Sequence, residues 1–281
     1  MITDTTALVT SIDCPHTGAV SEIPMTKSPS GKITAIRADL QTSRVAHVRQ
    51  LLLPGEVQAV ARLLGQFTHG KSDSEGVLQT RDKAGLITEL EHACRLNSAL
   101  AHSQAFTKCQ QIATEYFGAP CHYGFDHAIF KQPGSGPVEW HQDQHYSRFD
   151  LDKQCLSFWI PLQPANAENG GMEYAVGDYD LLPHMPVSKG SHAHFVADKH
   201  RPSGPTISPD MQPGDVCIHT PMTLHRSHPH NGDATRAAWI LQFNRYGYSR
   251  FFRWANFRQH IRKLYMLEPY QPADIARMKI D

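Results

Sequence analysis

The chain of 281 residues is 40% hydrophobic and 19% charged, enough apolar material for one large core or two modest ones, and unlike a disordered or fibrous composition. Its 27 lysine and arginine residues balance 27 aspartate and glutamate residues, so no overall field draws it to nucleic acid or to an anionic membrane. Six cysteines without CxxC spacing read as reduced thiols, and with no basic leader and no apolar stretch of spanning length the expectation is a cytoplasmic protein.

Residues 1–32, rich in Thr, Ser and Pro, read as a loosely ordered arm, and residues 33–281 as a single domain. Val57, Val60, Ala61 and Leu64 follow helical spacing after Pro54, predicting a helix over about 56–66. A second helix is predicted over about 98–117, where Ala105, Cys109, Ile112 and Tyr116 share an apolar face and Gly118 can end it. Helices are therefore expected to dominate the first 120 residues.

Beyond Pro120 the apolar period becomes two. Tyr123, Phe125 and Ile129 alternate, then Leu156, Phe158, Ile160 and Leu162, then Met172, Tyr174 and Val176, with further strands at about 216–220 and 236–246. Gly/Pro-rich turns between these short strands suggest a sandwich or barrel over about 120–246, and helical spacing returns over about 256–267. The segment of about 179–211, long and rich in Pro, His and Ser, is the expected lid.

Among 18 histidines, His141 stands out in His141-Gln142-Asp143. On extended backbone, side chains at i and i+2 point the same way, so an imidazole and a carboxylate can reach one ion. A third ligand is expected from His225, beyond the turn Pro213-Gly214-Asp215. Two histidines and one carboxylate on one face of an octahedron leave three positions open, as non-haem Fe(II) oxygenases require. Arg236 opens an apolar strand and shares a face with Ala238, Ile240 and Gln242, so a cation is aimed inward. An unpaired buried guanidinium is costly, which calls for an anionic partner, either an Asp or Glu of the core or, as the better fit to its two parallel donors, the carboxylate of a cosubstrate.

Trp140-His141-Gln142-Asp143, Ser157-Phe158-Trp159-Ile160-Pro161-Leu162, Glu168-Asn169-Gly170-Gly171-Met172-Glu173, Pro213-Gly214-Asp215, His225-Arg226-Ser227 and Arg236 together resemble the phytanoyl-CoA dioxygenase family. The resemblance covers roughly residues 120–246. It implies a mainly β fold with flanking helices, a double-stranded β-helix (jelly roll, cupin-like), using Fe(II), 2-oxoglutarate and O2. By position, His141, Asp143 and His225 would bind iron. Arg236, eleven residues after the distal histidine, would clamp the far carboxylate of 2-oxoglutarate, and Trp159 and Ser227 would line its pocket. One departure is that relatives commonly place an asparagine five residues after the distal histidine, whereas here that position is His230 and Asn231 follows. The implied activity is hydroxylation, or another oxidation, of an unactivated C–H bond of a small molecule such as a secondary metabolite or acyl compound, releasing succinate and CO2.

Tyr123, Lys131, Gln144 and Tyr146 flank the metal strand and are the expected substrate contacts. The basic and aromatic stretch 245–263 reads either as a pocket wall for an anionic substrate or as a helix face or subunit contact. Competing readings are a cupin-like protein that holds a metal without oxygen chemistry, which would have no need of Arg236, and a zinc hydrolase built on His141-Gln142-Asp143-Gln144-His145. The expected partner is a small molecule, not nucleic acid or membrane, and a homo-oligomer is compatible with the sequence.

Overall fold

The computed structural model describes residues 29–69, 78–80, 84–147, 151–186 and 194–245. Helix α1 (Pro29–Thr42) leads into β1 (Val45–Val48), and α2 (Pro54–His69) follows. The pair β2 (Leu78–Thr80) and β3 (Ile87–Glu91) precedes the short helices α3 (Ala93–Leu96) and α4 (Ser98–Ala101) and the longer α5 (Gln104–Phe117). Next come β4 (His122–Lys131), β5 (Val138–His141), a single 3-10 turn over Asp143–Tyr146, β6 (Cys155–Pro161) and β7 (Met172–Ala175). The remaining strands are β8 (His184–Pro186), β9 (His194–Val196), β10 (Thr206–Ile207), β11 (Val216–His219), β12 (His225–Ser227) and β13 (Arg236–Asn244).

Local chemistry explains the boundaries. Pro54 starts α2, where its absent N–H would have had no helical partner, and the Glu56 carboxylate accepts from Leu53 N at 2.8 Å. The single helix expected over 98–117 is two, because the Ser103 hydroxyl accepts from Phe106 N at 3.2 Å and starts α5 afresh. Gly118 ends α5 at φ 64°, the left-handed cap its lack of Cβ permits. The expected arm stops short of residue 32: Pro29–Lys32 forms the first turn of α1, whose Ile33, Ile36 and Leu40 join the core. Residues 1–28 and the predicted helix over 256–267 lie outside the described residues. Helices dominate the described part of the first 120 residues, as expected, but the strands β1, β2 and β3 interrupt them. Residues 45–48, Val-Ala-His-Val, are buried on both faces and so show no alternation for a period of two to detect.

The strands form a seven-stranded antiparallel sheet, in the order β1-β11-β6-β13-β4-β3-β2, and a four-stranded one, β10-β7-β12-β5. The helices cover one face of the larger sheet, where Phe158, Trp239, Leu241 and Phe243 pack on Leu64, Phe106 and Ile112. The other face meets the smaller sheet across Trp159, Met172, Tyr174, Cys217, Ala238 and Ile240. This is the mainly β, jelly-roll arrangement with flanking helices, and its interior lies between two sheets rather than against the helices. No helix among the described residues is long and apolar enough to cross a membrane.

On the inner face of the larger sheet the register aligns side chains in rows. Lys131 stands opposite Arg236, His127 opposite Ile240, which is followed by Trp159, and Phe125 opposite Gln242, which is followed by Ser157 and His219. A register shift between Gln242 and Phe243 leaves Gly124 as an extra residue, which turns Tyr123 to the helix side. There its ring meets Phe106 at 6.0 Å and its hydroxyl donates to buried Asp126 at 2.6 Å.

Candidate metal centre and anion pocket

His141 ends β5, Gln142 continues in extended backbone (φ −124°, ψ 128°), and Asp143 begins the 3-10 turn. That one extended residue lets the imidazole and the carboxylate converge. His225 stands opposite both His141 and Tyr174 in the smaller sheet, and a register shift between β12 and β5 inserts an extra residue just before His141. Ligand atoms of His141, Asp143 and His225 lie within 4.8 Å of one another, so the three expected residues are brought together.

The tautomers suit a metal. The Nδ1 of His141 lies 2.8 Å from the Glu139 carbonyl, and that of His225 2.8 Å from the Thr223 carbonyl. A carbonyl accepts only, so each Nδ1 carries the proton and each Nε2 turns a lone pair inward. The Asp143 carboxylate is divided in the same sense. Its Oδ1 is 3.9 Å from His141 Nε2 and 3.8 Å from His225 Nε2, while Oδ2 faces Ser157 Oγ at 3.4 Å and Gln242 Nε2 at 3.3 Å. Burial alone would raise the Asp143 carboxyl, but His219, His225 and His141 outweigh it and hold it below the ordinary carboxylate range. Burial, then His141, pushes His225 well below the usual imidazole value, leaving it neutral as a ligand must be.

Two residues along β12 from His225, and on the same buried face, lies Ser227, a step of about 7 Å by the strand rise. Its hydroxyl accepts from Lys131 Nζ at 3.1 Å, and Lys131, which also donates to the His228 carbonyl, stands directly across from Arg236. Arg236 is 2% exposed and, among the described residues, gives one bond, from Nη2 to the Gly170 carbonyl at 2.8 Å, while Nε and Nη1 have no partner. Its guanidinium lies 5.5 Å over the Trp159 ring. Burial without a neighbouring acid pushes Arg236 down to about 9, the mark of a cation lacking its anion. Gly170 holds its carbonyl here at φ 81°, and a Cβ on Gly171 would come within 2.5 Å of the Asn166 carbonyl, which accounts for Asn169-Gly170-Gly171.

The structure places the four expected substrate contacts in different settings. Tyr123 faces the helices, as the bulge at Gly124 requires. Lys131 belongs to the Arg236 pocket. Gln144 is buried and folds back on its own loop, accepting from Leu151 N at 2.9 Å. Tyr146 Oη accepts from His194 N at 2.9 Å, so it docks the β8–β9 hairpin rather than facing open space.

The expected lid is fastened at its base. Gln142, fully buried, donates from Nε2 to the Asp180 and Met222 carbonyls at 3.1 and 2.9 Å and accepts from Leu182 N at 2.8 Å. Gln142 N donates to His184 Nε2 at 3.0 Å. His184 stacks on His145 with centroids 4.2 Å apart, His194 lies 4.8 Å from His145, and this imidazole wall flanks the metal residues. Burial, then His184 and His194, pushes His145 down to about 4. Residues 187–193 and 246–281, which include most of the basic and aromatic stretch, lie outside the described residues. His230 is a turn residue, with Nε2 2.7 Å from the Ala234 carbonyl, and Asn231 is exposed.

Sequence reasoning passed over Gln242, Ser157 and His219, the row beneath Asp143. Counting by twos from Arg236 reaches Gln242, and only cross-strand register adds Ser157 and His219.

A search of curated proteins by sequence finds no match. Among solved structures, EvdO2 from Micromonospora carbonacea var. aurantiaca complexed with 2-oxoglutarate aligns with a TM-score of 0.61 and 22% identity, covering 74% of this chain and 89% of that one. The epimerase SnoN in complex with Fe3+, alpha ketoglutarate and nogalamycin RO gives 0.64 and 19%, covering 78% and 85%. EctD from S. alaskensis with 2-oxoglutarate and 5-hydroxyectoine gives 0.61 and 15%, covering 78% and 77%. These likenesses establish the fold. The model of the phytanoyl-CoA dioxygenase family matches residues 45–238, from β1 into β13 and through every residue of the metal and anion sites, and the chain belongs to that family of enzymes.

Proposed function

We propose that the protein is an Fe(II)- and 2-oxoglutarate-dependent dioxygenase that hydroxylates an unactivated C–H bond of a small organic molecule. The observation that carries this reading is the pairing of a His141, Asp143 and His225 donor set with a buried Arg236 that has no acid partner among the described residues and stands beside Lys131, which donates to Ser227. A mixed nitrogen and oxygen set of three suits iron and leaves further positions for a chelating oxo acid. Iron with 2-oxoglutarate supplies the oxidising power, the oxo acid leaving as succinate and CO2 as dioxygen is reduced.

The protein's own residues do the rest. His141 and His225, fixed as Nδ1–H tautomers, present Nε2 lone pairs, and Asp143 presents one oxygen while Ser157 and Gln242 hold the other. Arg236, with Lys131 and Ser227 beside it, receives the distal carboxylate, and Trp159 walls that pocket. A zinc hydrolase or a mere metal holder would leave Arg236 buried without an anion, which disfavours both. Structural neighbours crystallised with 2-oxoglutarate or iron support the cofactor assignment. Hydroxylation is the specific outcome we assign, although one such neighbour is called an epimerase and another a carbocyclase. A small-molecule substrate and a cytoplasmic location complete the reading.

The test is an anaerobic titration of metal-free protein with Fe(II) and then 2-oxoglutarate. A visible metal-to-ligand charge-transfer band in the wild type, absent in Asp143→Ala, His141→Ala and His225→Ala, is expected. Tight metal binding with no such band would overturn the assignment.

A further inference from the structure

We propose that His219 is a positioning residue that donates from Nε2 to the outer oxygen of Asp143 and so keeps that carboxylate a one-oxygen ligand. The inference rests on the reading of Asp143 as a metal ligand. His219 is 2% exposed and neither ring nitrogen has a hydrogen-bond partner among the described residues. An imidazole carries at least one N–H, and a dry interior makes an unused donor costly. The acidic group in reach is Asp143, whose Oδ2 lies 3.7 Å from His219 Nε2.

The approach direction matters. Gln242 and Ser157 form a chain of donors, Gln242 Nε2 lying 3.2 Å from Ser157 Oγ, and both reach Oδ2 from β13 and β6. His219 comes to the same oxygen from β11, directly across from Ser157. The ring lies 4.8 Å from that of His225, but its Nε2 is nearest to Oδ2, whereas the Nε2 atoms of His141 and His225 are near Oδ1. His219 falls outside the set of residues whose ligand atoms converge, so its reach is to the carboxylate and not to the ion. Donors brought to Oδ2 from three strands pin the carboxylate and leave Oδ1 for the metal. With Oδ2 released, Asp143 is free to swing into two-oxygen binding and occupy a position that the oxo acid needs. Carboxylate ligands held by such outer partners lose roughly 10–100-fold in metal affinity when the partner is removed.

The experiment compares wild type, His219→Phe and His219→Gln in two readouts: the Fe(II) dissociation constant by anaerobic calorimetry, and the melting temperature of the metal-free protein. Phe keeps the ring volume and Gln keeps a donor. Expected is a roughly tenfold or greater weakening of Fe(II) binding in His219→Phe, with a metal-free melting temperature at or above that of wild type and most of the affinity restored in His219→Gln. Affinity within twofold of wild type in His219→Phe, or equal loss in both variants, overturns the proposal. Should His219→Phe not fold, His219→Gln and His219→Asn decide: affinity kept in either amide supports it, and affinity lost in both overturns it. The dioxygenase reading is judged separately, on whether wild type binds Fe(II) and develops the charge-transfer band.

Discussion

Lys131 and Arg236 face each other across β4 and β13, two buried cations at directly opposed register positions, and no acid among the described residues neutralises Arg236. Such a pair is a standing electrostatic debt in the empty protein and an attraction for a carboxylate in the loaded one. Arg236→Met is therefore expected to raise the Michaelis constant for 2-oxoglutarate by about 10–100-fold, the effect of losing about 1.5–3 kcal/mol of charge-assisted hydrogen bonding. The same change should leave the metal-free protein as stable as wild type or more stable, by about 1–2 kcal/mol in urea unfolding, because an unpaired buried charge has been replaced by an apolar chain. A loss of both stability and Fe(II) binding would show that Arg236 serves the fold instead.

Tyr123 and the metal are on opposite sides of the larger sheet. Asp126, fully buried, accepts from Tyr123 at 2.6 Å, from Trp239 Nε1 at 2.9 Å and from Cys94 N at 3.2 Å. Tyr123→Phe should cost about 1 kcal/mol of stability and leave the kinetic constants unchanged. Asp126→Ala strands the donors of Trp239 and Cys94 and should cost about 2–4 kcal/mol. Denaturant midpoints beside steady-state kinetics separate the two roles, and a changed substrate constant in Tyr123→Phe would return that residue to the pocket.

Gln142 ties the metal turn to the segment that starts the β8–β9 hairpin. Its side chain accepts the Leu182 amide and donates to two carbonyls, so Gln142→Ala should free that segment. Hydrogen exchange read at the Leu182 amide is expected to speed up by at least tenfold while amides of β13 keep their protection. Unchanged exchange at Leu182 would mean that the hairpin is held by Tyr146 and His194 alone.

Five cysteines, Cys94, Cys109, Cys121, Cys155 and Cys217, are buried and unpaired in disulfides. Burial pushes all five thiols up, for Cys94, Cys109, Cys155 and Cys217 well beyond the ordinary range. Since the thiolate is the reactive form, these sites should resist alkylation in native protein at pH 8 and react fully in urea, as site-resolved mass spectrometry would show. Rapid native labelling of Cys155 would contradict its position beneath Asp143.

The elements most legible in the sequence were those whose pattern had one cause. Val57, Val60 and Leu64 bury one face of a surface helix, and α2 appears where they predict it. Arg236, Ala238, Ile240 and Gln242 share the inner face of β13 because a strand has a period of two. His141 and Asp143 meet because Gln142 is extended. Misreadings arose where a second constraint acted. β1 is covered on both faces, so its pattern is flat. Gly124 shifts Tyr123 to the other side, and Ser103 restarts a helix that periodicity alone would have run through. His219 and Lys131 gain meaning only from the strands that lie beside them, a relation that one chain read from end to end does not display.

The two-residue step along β12 from His225 to Ser227 also works as a gauge of molecular length. On the proposed reading, with the keto-acid head held at the histidines, a five-carbon diacid would set its tail at Arg236, and a shorter or longer homologue would leave that guanidinium desolvated without a well-placed anion. Because the mismatch would strand a buried charge, the expected preference among 2-oxo diacids exceeds the roughly 10–200-fold that a missing methylene causes in an apolar pocket. On that reading cosubstrate choice follows from strand geometry and is independent of whichever molecule the imidazole wall of His145, His184 and His194 admits.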